Sequence, residues 1–136
     1  MGNLAAVGFG SALGALARFG LSLALAHDGF PWATLAANVV GAALIGAAAE
    51  AMKPPGPIDL GSRGRLFVMT GFCGGFTTFS LFGLETLELW QRGAPLLAMS
   101  YVALSAALWI VAVVVAMRVT RRYVGRWLAR RGEAPG

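Results

Sequence analysis

The chain has 136 residues, is 57% hydrophobic and only 12% charged, and has a mean hydropathy of +0.70 with a net charge of +5. A soluble domain this small cannot hide that much apolar surface, so the composition predicts a single domain dissolved in lipid. The one cysteine excludes an internal disulfide and a cysteine-cluster metal site, and the absence of paired carboxylates, a Ser-His-Asp set or a phosphate loop argues against an enzyme.

A bilayer core of about 30 Å needs about 20 apolar residues per helix. Four stretches satisfy this, at about 4–26, 32–52, 66–90 and 96–117, with a basic tail over about 118–136. No basic residue precedes Arg18, so the first stretch reads as a retained span and not a secretory signal. Within it Gly10, Gly14 and Arg18 recur every four residues and share one face. The glycine pair suits a close helix crossing. Arg18 has two readings, a side chain snorkelling to the surface or an anchor to backbone carbonyls.

His27, Asp28 and Gly29 form a polar break in which the lone histidine reads as solvated. The second span opens at Trp32, an interfacial ring. It carries Thr34 and, one turn on, Asn38. The Asn38 carboxamide has two donors and an acceptor, and either bonds another helix or offers donors to a dehydrated anion. Lys53-Pro54-Pro55-Gly56-Pro57 is a firm stop.

The third span contains Gly71-Phe72-Cys73-Gly74-Gly75-Phe76-Thr77-Thr78-Phe79-Ser80. Glycine costs about 1 kcal/mol relative to alanine in a helix, so this run is locally weak. Two explanations stand. The glycines mark a tight crossing with threonine hydroxyls bonded back one turn, or the helix breaks, which lipid tolerates only where the backbone is buried in protein or lines a cavity. Phe79 and Phe82 follow three apart on one face, and a ring edge carries partial positive charge. Glu85 either lies near the water interface or is paired within the protein. The break at Gln91-Arg92-Gly93-Ala94-Pro95 precedes the last span, where Tyr101 and Ser105 lie four apart with Trp109 a turn beyond.

Arg118, Arg121, Arg122, Arg126, Arg130 and Arg131, with Tyr123 and Trp127, make the tail basic. In so apolar a chain this reads as a segment facing anionic lipid, with no nucleic-acid partner. Together with Lys53, Arg63 and Arg65 these charges place both termini in the cytoplasm.

Taken together, these residues resemble the small bacterial fluoride channels (Fluc or CrcB type). Residues 71–82 resemble the family signature GFCGGxTTFSTF. Gly14-Ala15-Leu16-Ala17-Arg18-Phe19 is similar to its GAxxR(Y/F) segment, and Thr34-Leu35-Ala36-Ala37-Asn38 to its TLxxN segment. The resemblance covers all four spans. It implies an all-α membrane protein with a third helix broken at the glycines, working as an antiparallel dimer in the bacterial inner membrane. The implied fluoride pathway uses Asn38, Phe79, Phe82, Tyr101 and Ser105, ending at Glu85 and Thr34. Backbone carbonyls of Gly74 and Thr77 from both subunits are implied to hold a structural sodium ion, and Arg18 a structural role.

Two departures stand out. Many members place a small or hydroxyl residue one turn after the serine, where this chain has Trp109. Either the polar track is shorter or the indole N–H serves as a donor. The charge asymmetry also favours one orientation, so a homodimer is expected with an oppositely oriented homologue as the alternative partner. The competing functions are a small proton-coupled multidrug exporter and a non-transporting scaffold. The exporter usually needs a carboxylate in its first span, and none lies between Met1 and Ala26.

Overall fold

A computed structural model describes residues 2–25 and 29–132; the expected turn at His27 and Asp28 lies outside the described residues. The regular structure among the described residues is all helical, and four helical segments are long and apolar enough to cross a membrane. The first is α1 (Gly2–Ala24) and the second α2 (Trp32–Ala51). The third runs from Gly61 to Gln91 in pieces: α3 (Gly61–Arg65), a π-helical stretch (Leu66–Cys73), α4 (Gly74–Phe76) and α5 (Phe79–Gln91). The fourth is α6 (Pro95–Arg131).

Each predicted span overlaps one of these segments, but the third segment starts at Gly61 and not at about 66, and the fourth continues past the expected end at about 117. α6 runs for 37 residues, about 55 Å of helix, where a bilayer core needs about 30 Å. Nothing between Met117 and Arg131 stops it. Gly132 does, in a left-handed conformation (φ 73°) with its amide returned to the Ala129 carbonyl at 3.3 Å. The basic tail is therefore a rigid extension of the last helix as far as Arg131. At the other end Pro95 occupies the first turn, where its missing N–H costs nothing.

The packing follows lipid logic. α1 buries Gly10 and Gly14 and leaves Leu4, Phe9, Leu16 and Leu23 exposed. In lipid an exposed leucine costs nothing, whereas small residues let backbones meet. The most extensive contacts join α2 with α6 and α1 with the π-helical stretch. A Cβ at Gly14 would overlap the Phe72 carbonyl oxygen and lie 2.7 Å from the Phe76 amide nitrogen. Across this crossing, a Cβ at Gly75 would overlap the Ser11 carbonyl. The core proper lies where α5 meets α2 and α6, around Leu35, Phe82, Leu89, Ala98 and Tyr101.

Candidate functional site

The third segment is interrupted at Thr77 and Thr78, both extended (φ −83°, ψ 158° and φ −149°, ψ 124°). This moves the expected break. The glycines themselves stay helical, and Gly71 and Gly75 serve the crossing with α1. The two explanations of the glycine-rich run are thus both realised in adjacent places. Glycine weakens the helix, but the chain leaves it only where side chains offer the backbone another partner. Thr77 Oγ1 and Thr77 N–H both donate to the Cys73 carbonyl, at 2.9 and 3.0 Å. Thr78 N–H donates to Asn38 Oδ1 at 2.7 Å, and Asn38 Nδ2 donates to the Thr78 carbonyl at 2.9 Å. Thr78 then caps α5, its Oγ1 accepting from Leu81 N–H at 3.2 Å.

These bonds divert two helical donors. In an uninterrupted helix Thr78 N–H would serve the Gly74 carbonyl and Leu81 N–H the Thr77 carbonyl. Both go elsewhere. The carbonyls of Gly74 and Thr77 are therefore released by the same contacts that make the break. Gly74 is exposed, and a Cβ there would meet nothing within 4 Å. A pair of released carbonyl oxygens, one on exposed Gly74 and one on half-buried Thr77, has the donor chemistry that suits a hard cation. Arg18 lies beside them, its Nε 3.5 Å from the Gly75 carbonyl, a long and weak contact.

Beyond the break, the aromatic pair divides. Phe82 is buried, whereas Phe79 is 77% exposed, with the two ring centroids 5.6 Å apart. Phe82 lies 5.1 Å from the Tyr101 ring and 4.9 Å from Trp109, the latter edge to face at 69°. Phe79, Asn38, Thr77, Thr78 and Trp109 together line a cavity of about 490 Å³. Gly41 lets α2 reach it: a Cβ there would overlap the Thr77 methyl group.

At the other end of the Phe82 cluster, one carboxylate collects two hydroxyls. Thr34 Oγ1 donates to Glu85 Oε1 at 2.6 Å and the Tyr101 hydroxyl to Glu85 Oε2 at 2.8 Å. Glu85 also lines a polar opening of about 290 Å³ with Glu88 and Arg92, which form an exposed ion pair at 3.5 Å. Tyr101 and Ser105 are fully buried.

The structure thus gathers Asn38, Thr77, Phe79 and Trp109 around one cavity and Thr34, Glu85 and Tyr101 around one carboxylate, with Phe82 between them. Ser105 joins neither group by a hydrogen bond. Sequence reasoning left the pairing of Glu85 open without naming its partners, and missed the roles of Thr78 and Gly41. Gly41 has a legible signal, since it lies three residues after Asn38 on the same face. The Glu85 pairing joins residues 51 and 16 apart in sequence and has no local signature.

Four apolar segments, one of them interrupted where polar groups converge, define a small multi-pass membrane protein with a built interior site. Residues 5–117 match the family model for CrcB-like proteins, described as camphor resistance. The chain is 44% identical over 118 residues to "Fluoride-specific ion channel FluC 1" of Bradyrhizobium diazoefficiens, covering 86% of this chain and 83% of the relative. It is 46% identical over 112 residues to "Fluoride-specific ion channel FluC" of Opitutus terrae, covering 76% and 85%. The protein of the same name from Saccharophagus degradans is 44% identical over 126 residues, covering 88% and 90%. The chain belongs to the CrcB-like family.

Proposed function

We propose that this chain forms a fluoride-selective channel, not an enzyme, that lets fluoride run passively out across the bacterial cytoplasmic membrane and so relieves fluoride toxicity. One observation carries the reading. Asn38 holds Thr78 out of the helix beside a cavity lined by Phe79, in a chain 44% identical to a protein named as a fluoride-specific ion channel.

Fluoride is small and strongly hydrated, so a pore must replace its water with donors. Those donors must hold the ion firmly enough for entry and weakly enough for exit. Neutral groups meet both demands better than a buried lysine. The route runs from the opening at Glu88 and Arg92, past Glu85 and the Tyr101 hydroxyl, along the edges of Phe82 and by Ser105, to Asn38 and Phe79. Thr34 holds the Glu85 carboxylate at the pathway end. A carboxamide nitrogen has two protons, and Thr78 takes one of them from Asn38, which leaves the second for the anion.

The working unit is an antiparallel homodimer. Phe79 and Gly74 are exposed in one chain, and a second copy completes the wall they leave open. The alternative is a heterodimer with an oppositely oriented homologue. The Gly74 and Thr77 carbonyls of two such chains hold a structural sodium ion. When bound, it supplies a fixed positive charge between the two interrupted helices. Support comes from the diverted donors of both carbonyls. Arg18 steadies the adjoining Gly75 carbonyl.

The proposal is tested by expressing the chain in bacteria that lack their own fluoride export. Growth in fluoride should be restored, and Asn38→Ala should abolish the rescue. Membrane-inserted protein that gives no rescue argues against export.

A further inference from the structure

Two buried polar atoms on α6 have no hydrogen-bond partner among the described residues: Ser105 Oγ and Trp109 Nε1. They lie one turn apart, on the face that also carries Tyr101. Leaving a buried donor unmade costs about 1–3 kcal/mol, so each such atom needs an explanation. A hydroxyl can turn to donate or accept. An indole N–H can only donate, and so only an acceptor satisfies it.

Apart from the released Gly74 and Thr77 carbonyls, which bond neither of these two atoms, the protein's own acceptors nearby are committed. Asn38 Oδ1 takes Thr78 N–H, the Thr78 carbonyl takes Asn38 Nδ2, and the Cys73 carbonyl takes two donors from Thr77. The two oxygens of Glu85 take Thr34 and Tyr101. No carboxylate lines the cavity that Trp109 walls. On the α2 and α6 walls, what remains uncommitted is a set of neutral donors: the Trp109 indole N–H, the Ser105 hydroxyl and the second Asn38 amide proton. Surplus neutral donors without a charged side chain among them are what a small anion needs.

Trp109 is also held firmly. Its ring lies edge to face with Phe82 at 4.9 Å and packs against the Phe82–Tyr101 core, and the same residue lines the cavity. Its nitrogen is sealed from solvent. Trp109 therefore belongs both to the cavity at Asn38 and to the α6 face that carries the dry Ser105 hydroxyl.

We infer that the Trp109 indole N–H is a fluoride donor, forming with the Ser105 hydroxyl a dry binding station behind the cavity. The inference rests on the fluoride-channel reading and extends it to a residue that the polar groups of α6 would otherwise exclude as too large. A single indole dipole fixed in place attracts the ion without trapping it. Phe82, packed on the same ring, adds a positive edge.

The test is to label the four tryptophans with ¹⁵N in the full-length protein in lipid nanodiscs and follow their indole N–H resonances. Trp109→Phe assigns the relevant signal. Sodium fluoride is titrated against sodium chloride at constant ionic strength. The Trp109 indole proton should move downfield saturably with fluoride and not with chloride, while those of Trp32, Trp90 and Trp127 stay. An indole signal from Trp109 that ignores fluoride overturns the inference.

Flux through variants gives an independent reading. Trp109→Phe should slow fluoride efflux by about tenfold, the equivalent of one lost hydrogen bond. Trp109→Gln, which restores an N–H donor, should recover part of it. Equal loss in both variants, with the indole signal unmoved, assigns Trp109 to packing alone. Unmodified protein that carries fluoride while Trp109→Phe carries it equally well overturns the inference and leaves the channel reading intact. Failure of the unmodified protein to carry fluoride overturns the channel reading, and the titration still reports on Trp109 by itself.

Discussion

Asn38 pairs its carboxamide with both backbone groups of Thr78, accepting the N–H at 2.7 Å and donating to the carbonyl at 2.9 Å. The side chain of one helix thus stands in for the hydrogen bonds that another helix gives up. This answers how an interrupted backbone survives at membrane depth, where each unsatisfied group is costly. The same residue is helix glue and lines the cavity. Asn38→Ala removes both bonds and leaves two backbone groups unpaired, at about 1–3 kcal/mol each. The melting temperature of the purified protein should fall, and fluoride efflux with it. Full stability and flux in Asn38→Ala would remove the clamp from the account.

The neighbouring glycines have separate duties. A Cβ at Gly75 would overlap the Ser11 carbonyl, whereas a Cβ at Gly74 would meet nothing in the same chain. Gly75→Ala should cost about 1–3 kcal/mol through overpacking and reduce the folded yield. Gly74→Ala should leave the fold of the single chain intact and disturb only the contact with a second copy. Size-exclusion profiles and thermal melts of the two variants separate these effects. Equal destabilisation by both would mean that the glycines act through helix propensity alone.

Phe79 and Phe82 make a similar contrast. Phe82 is buried against Tyr101 and Trp109, and Phe79 is 77% exposed. Phe82→Ala should cost about 3 kcal/mol or more in thermal stability. Phe79→Ala should change the stability of the single chain little and still suppress efflux. Phe79→Ala with wild-type flux would place that ring outside the pathway.

Sodium should matter to assembly. If the Gly74 and Thr77 carbonyls hold the ion between two chains, replacing sodium with N-methylglucamine should lower the melting temperature and shift the protein toward monomer. Saturation at a hundredfold over the dissociation constant corresponds to about 2.7 kcal/mol. Identical melts and identical oligomeric size with and without sodium would contradict the site.

Much of this architecture is written in the chain. Hydropathy places the four spans, and the Gly10–Gly14 pair forecasts the close crossing that the structure makes with the Phe72 and Phe76 backbone. The position of the break is less legible. Local propensity points to Gly74 and Gly75, but Asn38, forty residues away, decides that Thr78 leaves the helix. Long-range pairing also hides the partners of Glu85, whose two oxygens are taken by Thr34 and Tyr101 from different helices. The length of α6 follows from an absence of stops, which a count of apolar residues does not register. Trp109 left two readings open because its spacing fixes its face and not the surroundings of its nitrogen.

The most direct test of the channel is efflux from liposomes that hold purified protein and equal concentrations of fluoride and chloride, followed with ion-selective electrodes. A neutral-donor pathway shaped for a small anion predicts rapid loss of fluoride with chloride retained. Chloride leaving as fast as fluoride, or no fluoride leaving from vesicles that demonstrably contain the protein, would contradict it.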